Sequence, residues 1–167
     1  GGWQTVSEDD RELYWQSLFA NSTQALSQQC NQTETDTPLV IAATAGMRQA
    51  SLEDQAAFEQ TTSEWIDDNT DYVNASVSII PGSREAWYDW LAVNTRYRKF
   101  SSDCSSPLFS VIDVGGASIE WAYEINQQES LPHGEQLQFD QGCRYAIQLS
   151  LSSWLGMGVD QVVAETR

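Results

Sequence analysis

Basic residues are scarce in this chain of 167 residues. Lysine occurs once, as Lys99, and 8 Lys and Arg residues stand against 24 Asp and Glu residues, for a formal net charge of −16. A surface this acidic repels nucleic acids and anionic lipids, so we expect neither as a partner. It also repels a nucleotide, unless divalent cations or local positive groups offset the charge. The acidic composition agrees with a secreted or salty environment.

Histidine, cysteine and long apolar runs are also rare or missing. The chain contains one histidine, His133, and three cysteines without a Cys-x-x-Cys pair. These counts argue against a structural zinc site and a Ser-His-Asp triad. Cys104 and Cys143 flank the same predicted sheet and are the first pair to test for a disulfide. No stretch approaches the roughly 18–20 apolar residues of a membrane span, so we expect no membrane contact from this segment.

Apolar periodicity predicts a chain in which helices and strands alternate. Helices are expected at five places: from Ser7 to about residue 30, after Ser51, from Arg84 to Tyr97, over residues 147–155 and from Val159 onward. Strands are expected at residues 38–43, 72–80, 108–113, 117–125 and 136–140. Leu13, Tyr14 and Leu18 recur at helical spacing in the first helix. Residues 38–43 form an unbroken apolar run, typical of a strand buried on both faces of a parallel sheet. This order indicates an α/β protein with a mixed sheet.

Two stretches place polar groups just beyond predicted strands, at the sheet edge where α/β proteins usually bind ligands. In the stretch Ala43–Arg48, the Thr44 hydroxyl and the backbone beside Gly46 suit an anion, although an ordinary turn explains the pattern too. In the stretch Pro81–Glu85, Glu85 is a candidate general base for water. An acid in the first turn of a helix is equally expected from the helix dipole alone.

Two further stretches contain paired glycines. In the stretch Asp113–Ser118, Gly115 and Gly116 allow a phosphate to approach the main chain, Asp113 is placed for a metal-bound water, and Ser118 is placed to orient a nucleophilic water. A tight hairpin turn is the alternative interpretation. The stretch Trp154–Gly158 is expected either beneath a nucleotide base or as a helix cap. No P-loop or G-x-G-x-x-G fingerprint is present.

Taken together and in this order, the four stretches resemble the apyrases, the nucleoside triphosphate diphosphohydrolase (NTPDase) family. Residues 43–48, Ala-Thr-Ala-Gly-Met-Arg, match the second signature of that family. Residues 82–94 resemble its third signature, residues 113–118 its fourth, and residues 153–161 the segment that follows. The resemblance covers about residues 13–165.

The resemblance implies a ribonuclease-H-like fold of the actin-like ATPase superfamily, with a mixed sheet, flanking helices and two lobes around a cleft. Residues 1–80 would then be the helix-strand-helix-strand part of the first lobe, residues 81–106 a connecting helix and loop, and residues 107–167 the β-meander and helices of the second lobe. Alternatively, the same elements in permuted order would close as one domain with a single sheet.

The resemblance also implies an activity: hydrolysis of nucleoside tri- and diphosphates with Ca²⁺ or Mg²⁺, usually outside the cytosol. By position, the catalytic residues would be Glu85 as general base, Ser118 and Glu120, and Asp113 would act in the water shell of the metal. The residues that contact phosphate would be Thr44, Ala45, Gly46, Arg48, Gly115, Gly116 and Ala117. Those that contact the rest of the nucleotide would be Gly156, Gly158 and Asp160. The oligomeric state is not indicated.

The chain departs from the family pattern in three places. Glu120 stands where the family has Gln, and an ionised carboxylate cannot donate the hydrogen bond that an amide donates. Ala86 replaces a Gly. The first family signature has no match in residues 1–37, and the fifth is not found. We therefore expect a piece of a longer enzyme or a shortened relative, with two alternative functions: a non-catalytic nucleotide sensor, or a phosphohydrolase of the exopolyphosphatase type, whose signature carries Glu at this position.

Overall fold

The computed structural model describes residue 3 and residues 6–30, 32–97, 107–125, 135–141 and 145–165, with backbone only at residues 8, 135–141, 145–147 and 165. The chain separates into two compact units, Gly1–Ile79 and Ile80–Arg167. The predicted Cys104–Cys143 pair and the predicted loop at 101–106 lie outside the described residues.

In the first unit, the part of the chain that the structure describes forms three α-helices and two strands. They are α1 (Glu8–Ala25), β1 (Pro38–Ala43), α2 (Ala45–Arg48), α3 (Leu52–Asn69) and β2 (Val73–Ile79), with a π-helical turn at Leu26–Cys30 and a 3₁₀ turn at Glu34–Asp36. Strands β1 and β2 pair in parallel. Ser51 begins α3 as predicted, because its hydroxyl accepts a hydrogen bond from the Asp54 N–H at 3.1 Å and so satisfies one of the unpaired donors of the first turn.

The core of the first unit is largely aromatic. Its buried residues are Trp3, Trp15, Phe19, Met47, Phe58 and Ile66, and Leu39, Ile41 and Ala43 of β1 pack against them. The helical-spacing residues Leu13, Tyr14 and Leu18 are instead exposed, Leu13 by 66%, because α1 turns its larger rings Trp15 and Phe19 inward. The prediction that β1 is buried on both faces is also wrong. Val40 is 70% exposed, because this cluster covers only one face of the strand.

The described residues of the second unit form two helices and a four-stranded sheet. They are α4 (Gly82–Arg96), β3 (Val111–Val114), β4 (Ser118–Glu124), β5 (Glu135–Gln141), β6 (Tyr145–Leu155) and α5 (Val159–Glu165). The strands follow the order β3-β4-β6-β5, and each neighbouring pair is antiparallel. Helix α4 packs on β4 and β6 of this unit.

Three expectations about the sheets are corrected. Residues 147–155 form strand β6 and not a helix, since their apolar residues fit both periods and pairing with β4 and β5 selects the strand. Strand β6 lies between β4 and β5, so the strands do not form a simple meander. Strands β1 and β3 lie in separate sheets, which removes the single-sheet permuted domain. The assignment of lobes stays a prediction.

Asn94 ties the end of α4 to the chain segment before β3. Its Nδ2 donates to the Trp90 carbonyl at 2.9 Å, and its Oδ1 accepts from the Phe109 N–H at 2.8 Å. Trp90 and Asn94 are fully buried, in a core that also contains Ala86, Ala122, Leu149 and Leu151. Tyr97, which follows the last residue of α4, is exposed. Among the described residues, no helix combines the length and apolar character that crossing a membrane requires.

Candidate functional site

Three carboxylates converge in the second unit. One oxygen each of Glu85, Asp113 and Glu120 lies within 4.8 Å of the others. Glu85 lies in the first turn of α4, whereas Asp113 on β3 is directly opposite Glu120 on β4. Residues paired directly across two strands share a face of the sheet, and this face is the one that packs against α4. Sequence-predicted residues from two separate stretches, on three different elements, therefore meet at one place.

Glu120 is the deepest member of this acidic cluster (Glu85, Asp113 and Glu120). It is only 1% exposed, and its Oε1 accepts a hydrogen bond of 2.8 Å from the Ser153 hydroxyl. Ser153 on β6 is directly opposite Glu120 in the sheet. Ser118 precedes Glu120 by two residues on β4 and is also buried, so side-chain alternation places it on the same face.

Asp89 is a fourth carboxylate beside the acidic cluster, and the sequence interpretation missed it. Burial, and then the charges of Asp113, Glu85 and Glu120, raises the pKa of Asp89 from 3.8 to about 6. Its Oδ2 is buried and accepts no hydrogen bond within the described residues. The available signal was the spacing of four residues from Glu85, which puts both carboxylates on one face of α4.

The donor set of the acidic cluster suits a hard divalent cation. Ca²⁺ and Mg²⁺ are bound in proteins chiefly by carboxylate and other oxygen ligands. Three carboxylates within 4.8 Å of one another concentrate negative charge, and this charge, after burial, contributes to the raised pKa of the neighbouring Asp89. A divalent cation would offset this charge.

The glycine loop, residues 115–117, has its carbonyl groups occupied by the turn after β6. The N–H groups of Val159, Asp160 and Gly156 donate to the carbonyls of Gly115 at 3.0 Å, Gly116 at 3.0 Å and Ala117 at 2.9 Å, respectively. The N–H groups of Gly116 and Ala117, by contrast, donate to no group in the part of the chain that the structure describes. Successive backbone N–H groups of this kind form an anion-binding concavity. The hairpin turn and the phosphate cradle are thus compatible interpretations of one loop.

The contact between the glycine loop and Gly158 requires glycine on steric grounds. A Cβ added to Gly158 would lie 2.2 Å from the Gly116 carbonyl oxygen and 2.3 Å from the Ala117 nitrogen. A Cβ on Gly116 would lie 2.6 Å from Asp160 Oδ2. The segment 156–160 therefore joins β6 to α5 and packs on the loop. Since residues 147–155 form a strand, the glycines do not cap a helix over that segment; Gly158 instead precedes α5, and its carbonyl accepts from the N–H groups of Gln161 and Val162 at 3.1 Å each.

The remaining predicted stretch, Ala43–Arg48, belongs to the first unit. Thr44 follows β1, and its carbonyl accepts from the N–H groups of Met47 at 3.0 Å and Arg48 at 3.1 Å. Ala45 is buried and Gly46 is exposed, so only part of this turn is open to a ligand. Its contact with phosphate stays a prediction.

Comparisons with known proteins identify close parallels in sequence and fold. The model of the GDA1/CD39 (nucleoside phosphatase) family matches residues 10–166. The Golgi apyrase of Schizosaccharomyces pombe is 28% identical over 143 residues, which are 75% of this chain and 23% of that protein. The nucleoside-triphosphatase ntp-1 of Caenorhabditis elegans is 30% identical over 134 residues, 75% of this chain and 24% of that protein. The chain thus spans about a quarter of the length of these curated relatives.

A solved structure supports the fold. The nucleoside triphosphate hydrolase structure from Neospora caninum superposes with a TM-score of 0.69 at 18% identity, over 91% of this chain and 31% of that one. The predicted α/β fold of the nucleoside triphosphate hydrolases is confirmed.

Proposed function

The chain belongs to the GDA1/CD39 (nucleoside phosphatase) family, and from that premise we propose that it carries out divalent-metal-dependent hydrolysis of nucleoside tri- and diphosphates to the monophosphate. One observation carries the proposal: two members of the acidic cluster, Asp113 and Glu120, and the glycine loop are built on the same hairpin, β3–β4. Asp113 lies two residues before Gly115, and Ser118 and Glu120 follow the loop directly. A metal-binding group and a phosphate-binding group are thereby held next to each other.

The glycine loop supplies the phosphate contact in this proposal. The N–H groups of Gly116 and Ala117 donate to terminal phosphate oxygens, and the bonds from residues 156–160 hold the loop in place. Backbone donors suit a chain with a net charge of −16, because they bind an anion without needing basic side chains. The rest of the nucleotide would contact Gly156, Gly158 and Asp160, whose segment packs on the loop.

The acidic cluster supplies the cation site and the base. Asp113, with Glu120 beside it, would hold Ca²⁺ or Mg²⁺, which when bound neutralises charge on the phosphates. Glu85 would accept the proton of the attacking water as that water adds to the terminal phosphorus. The bond from this phosphorus to the bridging oxygen breaks, so the terminal group leaves as inorganic phosphate and the shortened nucleotide keeps the bridging oxygen. The Ser118 hydroxyl, buried on the same sheet face, orients this water. In the first unit, Thr44, Ala45, Gly46 and Arg48 are a separate candidate for contact with phosphate.

The compartment and the substrate range are part of the same proposal. An exported or lumenal location fits the acidic composition and the relative named Golgi apyrase. Nucleoside tri- and diphosphates fit the relatives named as an apyrase and a nucleoside-triphosphatase.

Phosphate release by the 167-residue chain from ATP, ADP and polyphosphate, with Ca²⁺ or Mg²⁺, tests the proposal. We expect Glu85→Gln to lower the rate by about 10²–10⁴-fold, the usual contribution of a general base. Glu53→Gln is the matched control, because Glu53 also lies in the first turn of a helix, α3, and is not a member of the acidic cluster. The control should keep the full rate.

The other outcomes separate the alternatives. Hydrolysis that survives Glu85→Gln contradicts the role of Glu85. Nucleotide binding by calorimetry without phosphate release identifies a non-catalytic binding domain. Faster release from polyphosphate than from ATP identifies a phosphohydrolase of the exopolyphosphatase type.

A further inference from the structure

Ser153 is a residue of β6 that contacts the acidic cluster from a neighbouring strand. Its hydroxyl donates to Glu120 Oε1 at 2.8 Å, and the β4–β6 register places the two residues directly opposite each other. Glu120 is almost completely buried, whereas Ser153 is half-buried. This hydrogen bond therefore holds the Glu120 carboxylate from β6. The other two carboxylates of the acidic cluster, Glu85 and Asp113, come from α4 and β3.

We propose that Ser153 is a positioning residue of the cation site: it fixes the rotation of the Glu120 carboxylate so that an oxygen faces those of Glu85 and Asp113. This inference rests on the proposed function, because it takes the acidic cluster to hold a divalent cation. The last torsion of a Glu side chain has broad energy minima, so burial alone does not orient the carboxylate. A hydroxyl across the sheet does so. Outer partners of this kind typically contribute about 10–100-fold to metal affinity.

The neighbouring Ser152 provides an internal control. Successive side chains on a strand point to opposite faces, so Ser152 lies on the face away from Glu120. In the sheet it is directly opposite Trp121, which is exposed. The two serines have the same chemistry and the same strand, and only Ser153 contacts the acidic cluster.

Calorimetric titration of the 167-residue chain with Ca²⁺ alone, and with Mg²⁺ alone, measures the proposed role directly. Ser153→Ala should weaken cation binding by about 10–100-fold. Ser153→Thr keeps a hydroxyl and should retain most of the affinity. Ser152→Ala should bind as the wild type does. Circular dichroism spectra establish that each variant is folded.

A double-mutant cycle distinguishes positioning from a general effect on the fold. If Ser153 acts through Glu120, Ser153→Ala should have no further effect on cation affinity in a Glu120→Ala background. An equal loss in both backgrounds overturns the proposal. If Ser153→Ala does not fold, Ser153→Cys replaces it, because cysteine has a side chain of similar size with a much weaker hydrogen-bond donor. Wild-type cation affinity in Ser153→Cys would also overturn the proposal.

The failure of this inference is distinguishable from failure of the proposed function. Wild-type affinity in Ser153→Ala, in a chain that binds the cation and releases phosphate, removes only the role of Ser153. A wild-type chain that neither binds Ca²⁺ or Mg²⁺ nor releases phosphate removes both.

Discussion

The two units of the molecule bury different kinds of side chain. The core of the first unit is formed mainly by aromatic rings, including Trp3, Trp15, Phe19 and Phe58, and its buried polar residue among those described is Thr62. The second unit packs smaller apolar residues around Trp90 and also buries Asn94, Ser118, Glu120 and Ser150. Buried polar groups destabilise a fold unless hydrogen bonds compensate them. In the second unit, two of these buried polar residues, Ser118 and Glu120, belong to the candidate site, so the destabilising groups lie where the function needs them.

Glycine is used differently in the two units as well. Gly46 lies in α2, and a Cβ added there would meet nothing within 4 Å. Gly158 touches the backbone of the glycine loop. The first glycine is replaceable on steric grounds, whereas the second is required by a close approach that organises the site.

The largest expected effect is on the free energy of unfolding. It tests whether a buried ring stabilises the protein equally in the two cores, although the cores differ in composition. Both Phe58→Ala in the first unit and Trp90→Ala in the second should lower the free energy of unfolding by about 3–5 kcal/mol, since both rings are buried. Trp121→Ala is the matched control, because Trp121 is 40% exposed; it should cost less than about 1 kcal/mol. Urea denaturation measures each value. A small loss for either buried ring would break the comparison.

The next effect contrasts the two glycines. Gly158→Ala should destabilise the protein by about 1–3 kcal/mol, because the new methyl group overlaps backbone atoms, and it should abolish phosphate release by displacing the glycine loop. Gly46→Ala should instead stabilise it by about 0.5–1 kcal/mol, as expected for Gly→Ala in a helix. Denaturation and phosphate-release assays of both variants check the contrast. Retained hydrolysis in Gly158→Ala would show that the loop does not depend on this contact.

The smallest effect concerns one buried polar atom in each unit. The pKa of Asp89 is raised in the folded state to about 6, so the folded chain binds more protons than the unfolded chain between about pH 4 and 6. Stability therefore falls as pH rises through this window. Asp89→Asn should remove the fall and increase stability at pH 7 by about 1 kcal/mol, allowing for solvent screening.

Thr62 provides the pH-independent counterpart. Its hydroxyl is buried and has no hydrogen-bond partner among the described residues, so Thr62→Val should increase stability by about 1 kcal/mol at every pH. Denaturation at pH 4 and pH 7 separates the two behaviours. An equal gain at both pH values for Asp89→Asn would contradict the raised pKa.

Much of the candidate site was predictable because it lies in short, continuous stretches. Asp113, the glycine loop, Ser118 and Glu120 occupy eight consecutive positions, and a hairpin brings such residues together whatever the rest of the fold does. Glu85 was predictable as an acid at the start of a helix. Asp89 and Ser153 were not. Their roles depend on which face of α4 meets the sheet and on which strand lies beside β4.

The largest error in the predicted fold, a helix in place of strand β6, also arises because the structure of the segment depends on neighbouring elements. The apolar residues of the segment 147–155 fit a helical and a strand period, and local sequence does not choose between them. Pairing with β4 and β5 supplies hydrogen bonds along both edges of this segment, and that stabilisation is non-local.

The amino-acid sequence alone determined the acidic character, the positions of most helices and strands, and the loop that carries two glycines after an acid. These properties are local, because they follow from side-chain charge, apolar spacing and the backbone freedom of glycine. Only the tertiary structure decided the strand order β3-β4-β6-β5, the inward face of α1 and the meeting of Glu85, Asp113 and Glu120. These depend on strand register and on competition among apolar residues for a limited interior, which no single stretch of sequence specifies.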